Sequence, residues 1–163
     1  MNIGLYTITS PLHNQEAVEA ASAGFIKEIE NELDCRFDIK GADFGTYGQH
    51  DLDVIYVRTG GTEGIFKEVF PSLKGNIVLL TSGKSNSLAA SMEILSYLNR
   101  QGRRGEIIHG SITYIADRLR TLARVVSAAK RLDGSNLGVV GGPCRCIISS
   151  DADKQRLKET LGI

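Results

Sequence analysis

The sequence carries no net charge, no tryptophan and only three cysteines. Nineteen Lys and Arg balance nineteen Asp and Glu, so no general electrostatic pull draws the chain to nucleic acid or to a membrane surface. No stretch approaches the roughly 20 apolar residues of a membrane-spanning helix. The first residues, Ile3-Gly4-Leu5-Tyr6-Thr7-Ile8, read as a strand with no basic region or small-residue cleavage site, so no signal peptide is expected. Cys144-Arg145-Cys146 is too tight for the usual zinc spacing and ill suited to a disulfide, and Cys35 stands apart. Reduced thiols in a cytoplasmic protein follow as the expectation.

Familiar cofactor and catalytic signatures are also missing. No G-x-G-x-x-G follows the first strand-like run, which removes the dinucleotide fingerprint. Gly83-Lys84-Ser85 resembles the tail of a P-loop, but the glycine required five residues earlier is Val78. His13, His50 and His109 are scattered, and no set of His, Asp and Glu has metal-ligand spacing. Each lone histidine reads as a satisfied polar residue. No catalytic residue, metal ligand or cofactor is assigned to these 163 residues.

What is present is a repeated strand, turn and helix pattern in a chain long enough for one domain with a real core. Its centre is Asp53-Val54-Ile55-Tyr56-Val57-Arg58-Thr59-Gly60-Gly61-Thr62-Glu63-Gly64. The β-branched and aromatic run suits a buried strand. Gly60 and Gly61 make a turn that lets a ligand approach the main chain, and Thr62 is placed to cap a short helix over 63–70. Further strands are expected at 2–9, 35–40, 76–81, 106–109 and 137–142. The 76–81 run is apolar on both faces, as a parallel sheet covered on both sides requires. Helices are expected from about Asn14 to Leu33, over 88–101, 112–132 and 152–161. Their apolar stripes are Val18, Ala21, Phe25, Ile29 and Leu33 in the first, Leu88, Met92, Leu95 and Leu98 in the second, and Ile115, Leu119, Leu122 and Val126 in the third. Ser111 can cap the third, whose basic face suits its C-terminal end, or a partner bearing carboxylates or phosphates.

Strands alternating with helices predict an α/β fold: a three-layer αβα, Rossmann-like (flavodoxin-like) parallel sheet of order 2-1-3-4-5. Residues 1–135 would form this domain. Residues 136–163 would be the strand and helix that open a second α/β domain, so the chain reads as part of a longer protein. In the expected order, the turns after the first and third strands lie at the switch point where ligands bind. The turns Thr9-Ser10, Gly60 to Glu63, Ser82 to Ser87 and His109 to Ser111 offer hydroxyls, amides and backbone N–H groups, donors that suit a sugar or polyol. The expected substrate-binding residues are Gly60, Gly61, Thr62, Glu63, Ser85, Asn86 and Ser87, although capping chemistry explains each turn taken singly.

Three segments in this order carry a resemblance. They are Gly60-Gly61-Thr62-Glu63, the run from Asn86-Ser87-Leu88-Ala89-Ala90 to Leu95, and Leu137-Gly138-Val139-Val140-Gly141-Gly142-Pro143 followed by Ile147-Ile148-Ser149-Ser150. The chain resembles L-fucose isomerase-like proteins, relatives of the L-fucose and L-arabinose isomerases, over nearly its whole length. The resemblance implies the Rossmann-like, sugar-recognising first domain of an aldose–ketose isomerase. The divalent metal, usually manganese, would be held by later domains, and the active site shared between subunits of a homo-oligomer. This part alone would not be catalytically complete. Residues 9–14 depart from the pattern in holding no Arg to grip a sugar. A second reading is a sugar-phosphate or small-ligand binding module, in which Thr81 to Ser87 holds a phosphate at a helix N-terminus and Lys84 supplies the charge. A third is an oligomerisation scaffold.

Overall fold

Short β-branched runs build the sheet. Ile3–Ile8 (β1), Phe37–Gly41 (β2), Leu52–Val57 (β3), Ile77–Leu80 (β4) and Gly105–Ile108 (β5) pair in the order β2-β1-β3-β4-β5, all parallel. The computed structural model describes residues 1–138, 140–142 and 153–162. The strand order is the expected 2-1-3-4-5, and helices cover both faces in a three-layer αβα, Rossmann-like arrangement. Every residue of β1 and β4 is buried, whereas β2 at the edge is largely open.

Strand register assigns the faces. Tyr6 pairs with Ile55, and Ile55 with Leu79, so these side chains stand on one side of the sheet. Against that side α2 (Glu63–Val69) and α3 (Ser87–Arg100) bury Phe66, Ala90, Ile94 and Leu98. Ile94 and Leu98 are each removed from water, a burial that stabilises by about 1.5–3 kcal/mol per side chain. The other side holds Leu5, Val54, Tyr56 and Leu80. There α1 (Gln15–Leu33) sets Phe25 5.5 Å from the Tyr56 ring. On the same side α4 (Ile112–Leu132) clamps Glu106 of β5 through Arg118, at 2.5 and 2.7 Å. The Arg120 guanidinium also donates to the Glu32 carbonyl at the end of α1.

Helix starts follow local chemistry. Asn14 caps α1 by accepting from Ala17 N at 3.0 Å, and Ser111 Oγ accepts from Tyr114 N at the start of α4. Stripe positions differ from expectation on three helices. On α4 Ile115 and Leu119 are buried with Ala116 and Ala123, and Leu122 and Val126 are only half-buried. On α1 the core residues are Ser22, Ile26, Ile29 and Leu33, with Val18 and Phe25 only half-buried. On α3 they are Ser87, Ala90, Ser91, Ile94 and Leu98, and Met92 is 61% exposed. Small serines let α3 approach the sheet closely. Their hydroxyls are satisfied within the helix start, Ser91 Oγ donating to Ser87 O at 2.8 Å.

The chain divides into two compact units, Met1–Ala123 and Arg124–Ile163. The first holds the whole sheet. In the second, Gly134 N donates to Gly162 O at 2.9 Å, and Asp153 caps α5 (Lys154–Leu161) by accepting from Arg156 N. The expected sixth strand is not formed at Leu137, Gly138, Val140, Gly141 or Gly142. Val140 is fully open to solvent, and a strand without a paired neighbour has no ladder to hold it. Val139, Cys144, Cys146, the run from Ile147 to Ser150 and Ala152 of the expected last helix lie outside the described residues.

One polar cluster sits near the amino ends of the strands. Gly4 lies in register with Asp38 on one side and Asp53 on the other. The buried His50 imidazole spans that row, with Nδ1 2.7 Å from Asp53 Oδ1 and Nε2 3.1 Å from Asp38 Oδ2. Lys40 first, and His50 second, hold the Asp38 carboxyl below the usual carboxylate range. Burial pushes the Tyr6 phenol, 3.0 Å from Thr46 Oγ1, up to about 12.

Candidate functional site

At the opposite end of the sheet, the loops after β1, β3 and β4 are tied to one another. Ser10 N donates to Thr59 Oγ1 at 2.9 Å, and Thr62 Oγ1 donates to Thr59 O at 3.1 Å. Gly60 N donates to Ser85 O at 2.7 Å, bringing the second and third loops together. A side chain at Gly60 would meet Asn86 Cβ at 3.0 Å, and Gly61 has φ +71, so this turn needs its glycines for close approach and for a left-handed residue. In the third loop Thr81 Oγ1 donates to Ser87 Oγ at 2.7 Å, and Ser87 Oγ donates to Lys84 O at 2.6 Å. Ser85 and Asn86 are both left-handed, at φ 52 and 59. Asn tolerates that region, whereas for Ser it costs about 1–2 kcal/mol.

The seven expected substrate-binding residues therefore separate. Gly60, Gly61 and Thr62 form the tie, and Thr62 is buried with its hydroxyl turned to Thr59 rather than capping α2. Ser87 is buried in the Thr81 to Lys84 turn. Asn86 is exposed and makes no side-chain cap. Glu63 lines a different groove, between α2 and α3, with Phe66, Lys67 and Tyr97. Ser85 alone of the seven lines the cavity that opens beside α1 at this edge.

That cavity holds about 260 Å³. Its floor is Ala17, Val18, Ala21, Phe25 and Tyr56, so the first half of the expected α1 stripe lines the pocket instead of the core. Its rim is His13, Asn14, Arg58, Ser82, Lys84 and Ser85. These come from the loops after β1, β3 and β4, the first two of which flank the point where the strand order reverses. Arg58 is the residue sequence reasoning passed over. It is the first residue beyond β3, and a cation placed between an apolar strand and a glycine turn was the available signal. Its side chain is 10% exposed. Nη1 donates to Glu19 Oε2 at 2.5 Å and Nη2 to Glu19 Oε1 at 3.4 Å, with the guanidinium 6.0 Å from the Tyr56 ring centroid. Arg58 Nε is buried and has no hydrogen-bond partner among the described residues.

His109, after β5, lies outside this rim. Its Nδ1 stands 3.1 Å from Thr81 O, an acceptor, which places the proton on Nδ1. Among the described residues no three of His, Cys, Asp and Glu gather as a metal ion would require, and no helix is long and apolar enough to cross a membrane. None of the family models, curated proteins or solved structures compared with this chain matches it.

Proposed function

We propose that this chain is the sugar-recognising, Rossmann-like part of an L-fucose isomerase-like aldose–ketose isomerase, and that it takes its sugar in the cavity beside α1. The observation that supports this reading most is the composition of that cavity at the switch point of the sheet. Hydroxyls of Ser82 and Ser85 and the Asn14 amide stand above an apolar floor with two aromatic rings, Phe25 and Tyr56. A sugar has the complementary shape: hydroxyls round the edge and a C–H face that packs on apolar and aromatic surface. Gly60, Gly61 and Thr62 hold the rim in place through Ser85 and Thr59.

Isomerases of this kind work at a divalent metal. The described residues do not offer a ligand set for one, so no step through a metal is derived for them. The metal centre and the homo-oligomer are parts of the proposal carried by the resemblance, and the cytoplasmic location is carried by the reading of the cysteines as reduced thiols.

Titration of ¹⁵N-labelled protein with L-fucose, L-arabinose, D-arabinose and their ketoses and polyols tests the reading. Amide shifts clustered at Asn14, Ser82 and Ser85 are expected, together with no ketose formed from these aldoses in the presence of manganese. A panel that leaves those amides unmoved overturns sugar recognition, and measurable isomerisation overturns the catalytic incompleteness.

A further inference from the structure

The sheet ends at β2, with no strand beyond it among the described residues. Phe37 N donates to Glu30 Oε1 at 2.8 Å instead of to β1. Backbone groups of alternate strand residues point the same way, so Ile39 also turns its N–H and C=O to the open edge. The pairing of β1 agrees. Asn2 O and Ile8 O accept from Leu52 N and Arg58 N on the β3 side, so Ile3 and Leu5 face β2 and engage Asp38 between them. The Ile39 side chain is apolar and 56% exposed. With Ala23 and Ile26 it lines an open groove of about 770 Å³ beside α1. An exposed apolar side chain whose own backbone donor and acceptor face outward is a template for adding a strand.

The charges select what that strand is. Asp38 and Lys40 flank Ile39, both partly exposed, and pair along the strand at 2.8 Å. When two copies of β2 run antiparallel about a two-fold axis at Ile39, Ile39 meets Ile39 and each Asp38 meets the Lys40 of the other copy. The two axis residues then exchange both of their outward hydrogen bonds. Moving the axis to Asp38 or to Lys40 sets like charges against each other, so the pattern also fixes the register. Three acidic and three basic residues line the groove, and the chain is neutral, so a strongly acidic or basic partner finds no match there. We infer that β2 is the interface with a second copy of this chain, the two five-stranded sheets joining edge to edge through Ile39. The inference is independent of the sugar reading, since no residue of β2 lines the proposed sugar cavity.

Sedimentation over a concentration series, together with amide hydrogen exchange, tests it on the unmodified chain and on Ile39→Arg, Asp38→Lys and Lys40→Asp. The mass is expected to rise from 17.7 kDa toward twice that value, and exchange at the Ile39 amide to slow as the dimer forms. Ile39→Arg sets two cations on the axis and weakens self-association at least about tenfold. Asp38→Lys and Lys40→Asp each oppose like charges and weaken it at least about tenfold as well. Mixed in equal amounts, those two variants recover the dimer, because opposite charges again face each other at both positions. If Asp38→Lys fails to fold for want of its contact with His50, Ile39→Arg and Lys40→Asp carry the test. A mass of 17.7 kDa throughout the series overturns the inference. So does a dimer that Ile39→Arg and Lys40→Asp leave intact, or one whose formation does not slow exchange at Ile39. The sugar reading is judged separately: the sugars above are expected to move the Asn14, Ser82 and Ser85 amides of Ile39→Arg as they do in the unmodified chain.

Discussion

At Gly4 the backbone of β1 passes directly beneath the His50 imidazole, which reaches Asp38 on one neighbouring strand and Asp53 on the other. A methyl group there would stand 2.7 Å from His50 Cε1 and 2.8 Å from Asp53 Oδ1. Neither atom can retreat without breaking a bond that holds a buried polar group, so the strain cannot relax cheaply. Gly4→Ala is expected to lower unfolding free energy by about 2–3 kcal/mol in urea denaturation. Adding His50→Ala should relieve part of that loss, giving a combined effect smaller than the sum of the two single changes. Strict additivity would show that the clash is not with the imidazole. In sequence, His50 read correctly as a satisfied polar residue. Its partners were illegible, because Asp38 and Asp53 meet it only once three strands lie in register.

At the scale of elements, α3 shows how far a hydrophobic stripe can be trusted. Leu88, Met92, Leu95 and Leu98 follow helical spacing, and the helix forms over Ser87–Arg100. The buried face, however, is rotated toward Ala90, Ser91 and Ile94, because close approach to the sheet selects small side chains over large ones. Substitutions separate the two faces. Ile94→Ala is expected to cost about 2–4 kcal/mol by leaving a cavity, whereas Met92→Lys should stay within about 0.5 kcal/mol of the parent in thermal or chemical unfolding. The reverse ranking would return α3 to the stripe written in its largest residues. Similar rotation on α1 explains why the cavity was hidden: Val18, Ala21 and Phe25 looked like core, and a pocket wall has the same composition as a core until its neighbours are known.

For the molecule as a whole, the order β2-β1-β3-β4-β5 was legible because continuous apolar strands between helices admit few parallel topologies. The roles of the seven residues expected to bind substrate were less legible, since turn chemistry serves the fold and a ligand with the same donors. Burial also ranks the local stabilities. Amides of β1, β3 and β4 are expected to exchange with deuterium most slowly, β2 at the open edge sooner, and Leu137 and Gly138 first of all. Slow exchange at 137–138 matching that of β1 would contradict this ranking.

The 2.7 Å bond from Gly60 to Ser85, with the Ser10 and Thr62 bonds to Thr59, makes one mechanical part of three segments far apart in the chain. Anyone wishing to re-shape this edge by recombination therefore inherits a constraint on what can be exchanged. The transferable cassette is the trio of segments, with their lengths kept matched, and a single loop imported alone arrives without its latch.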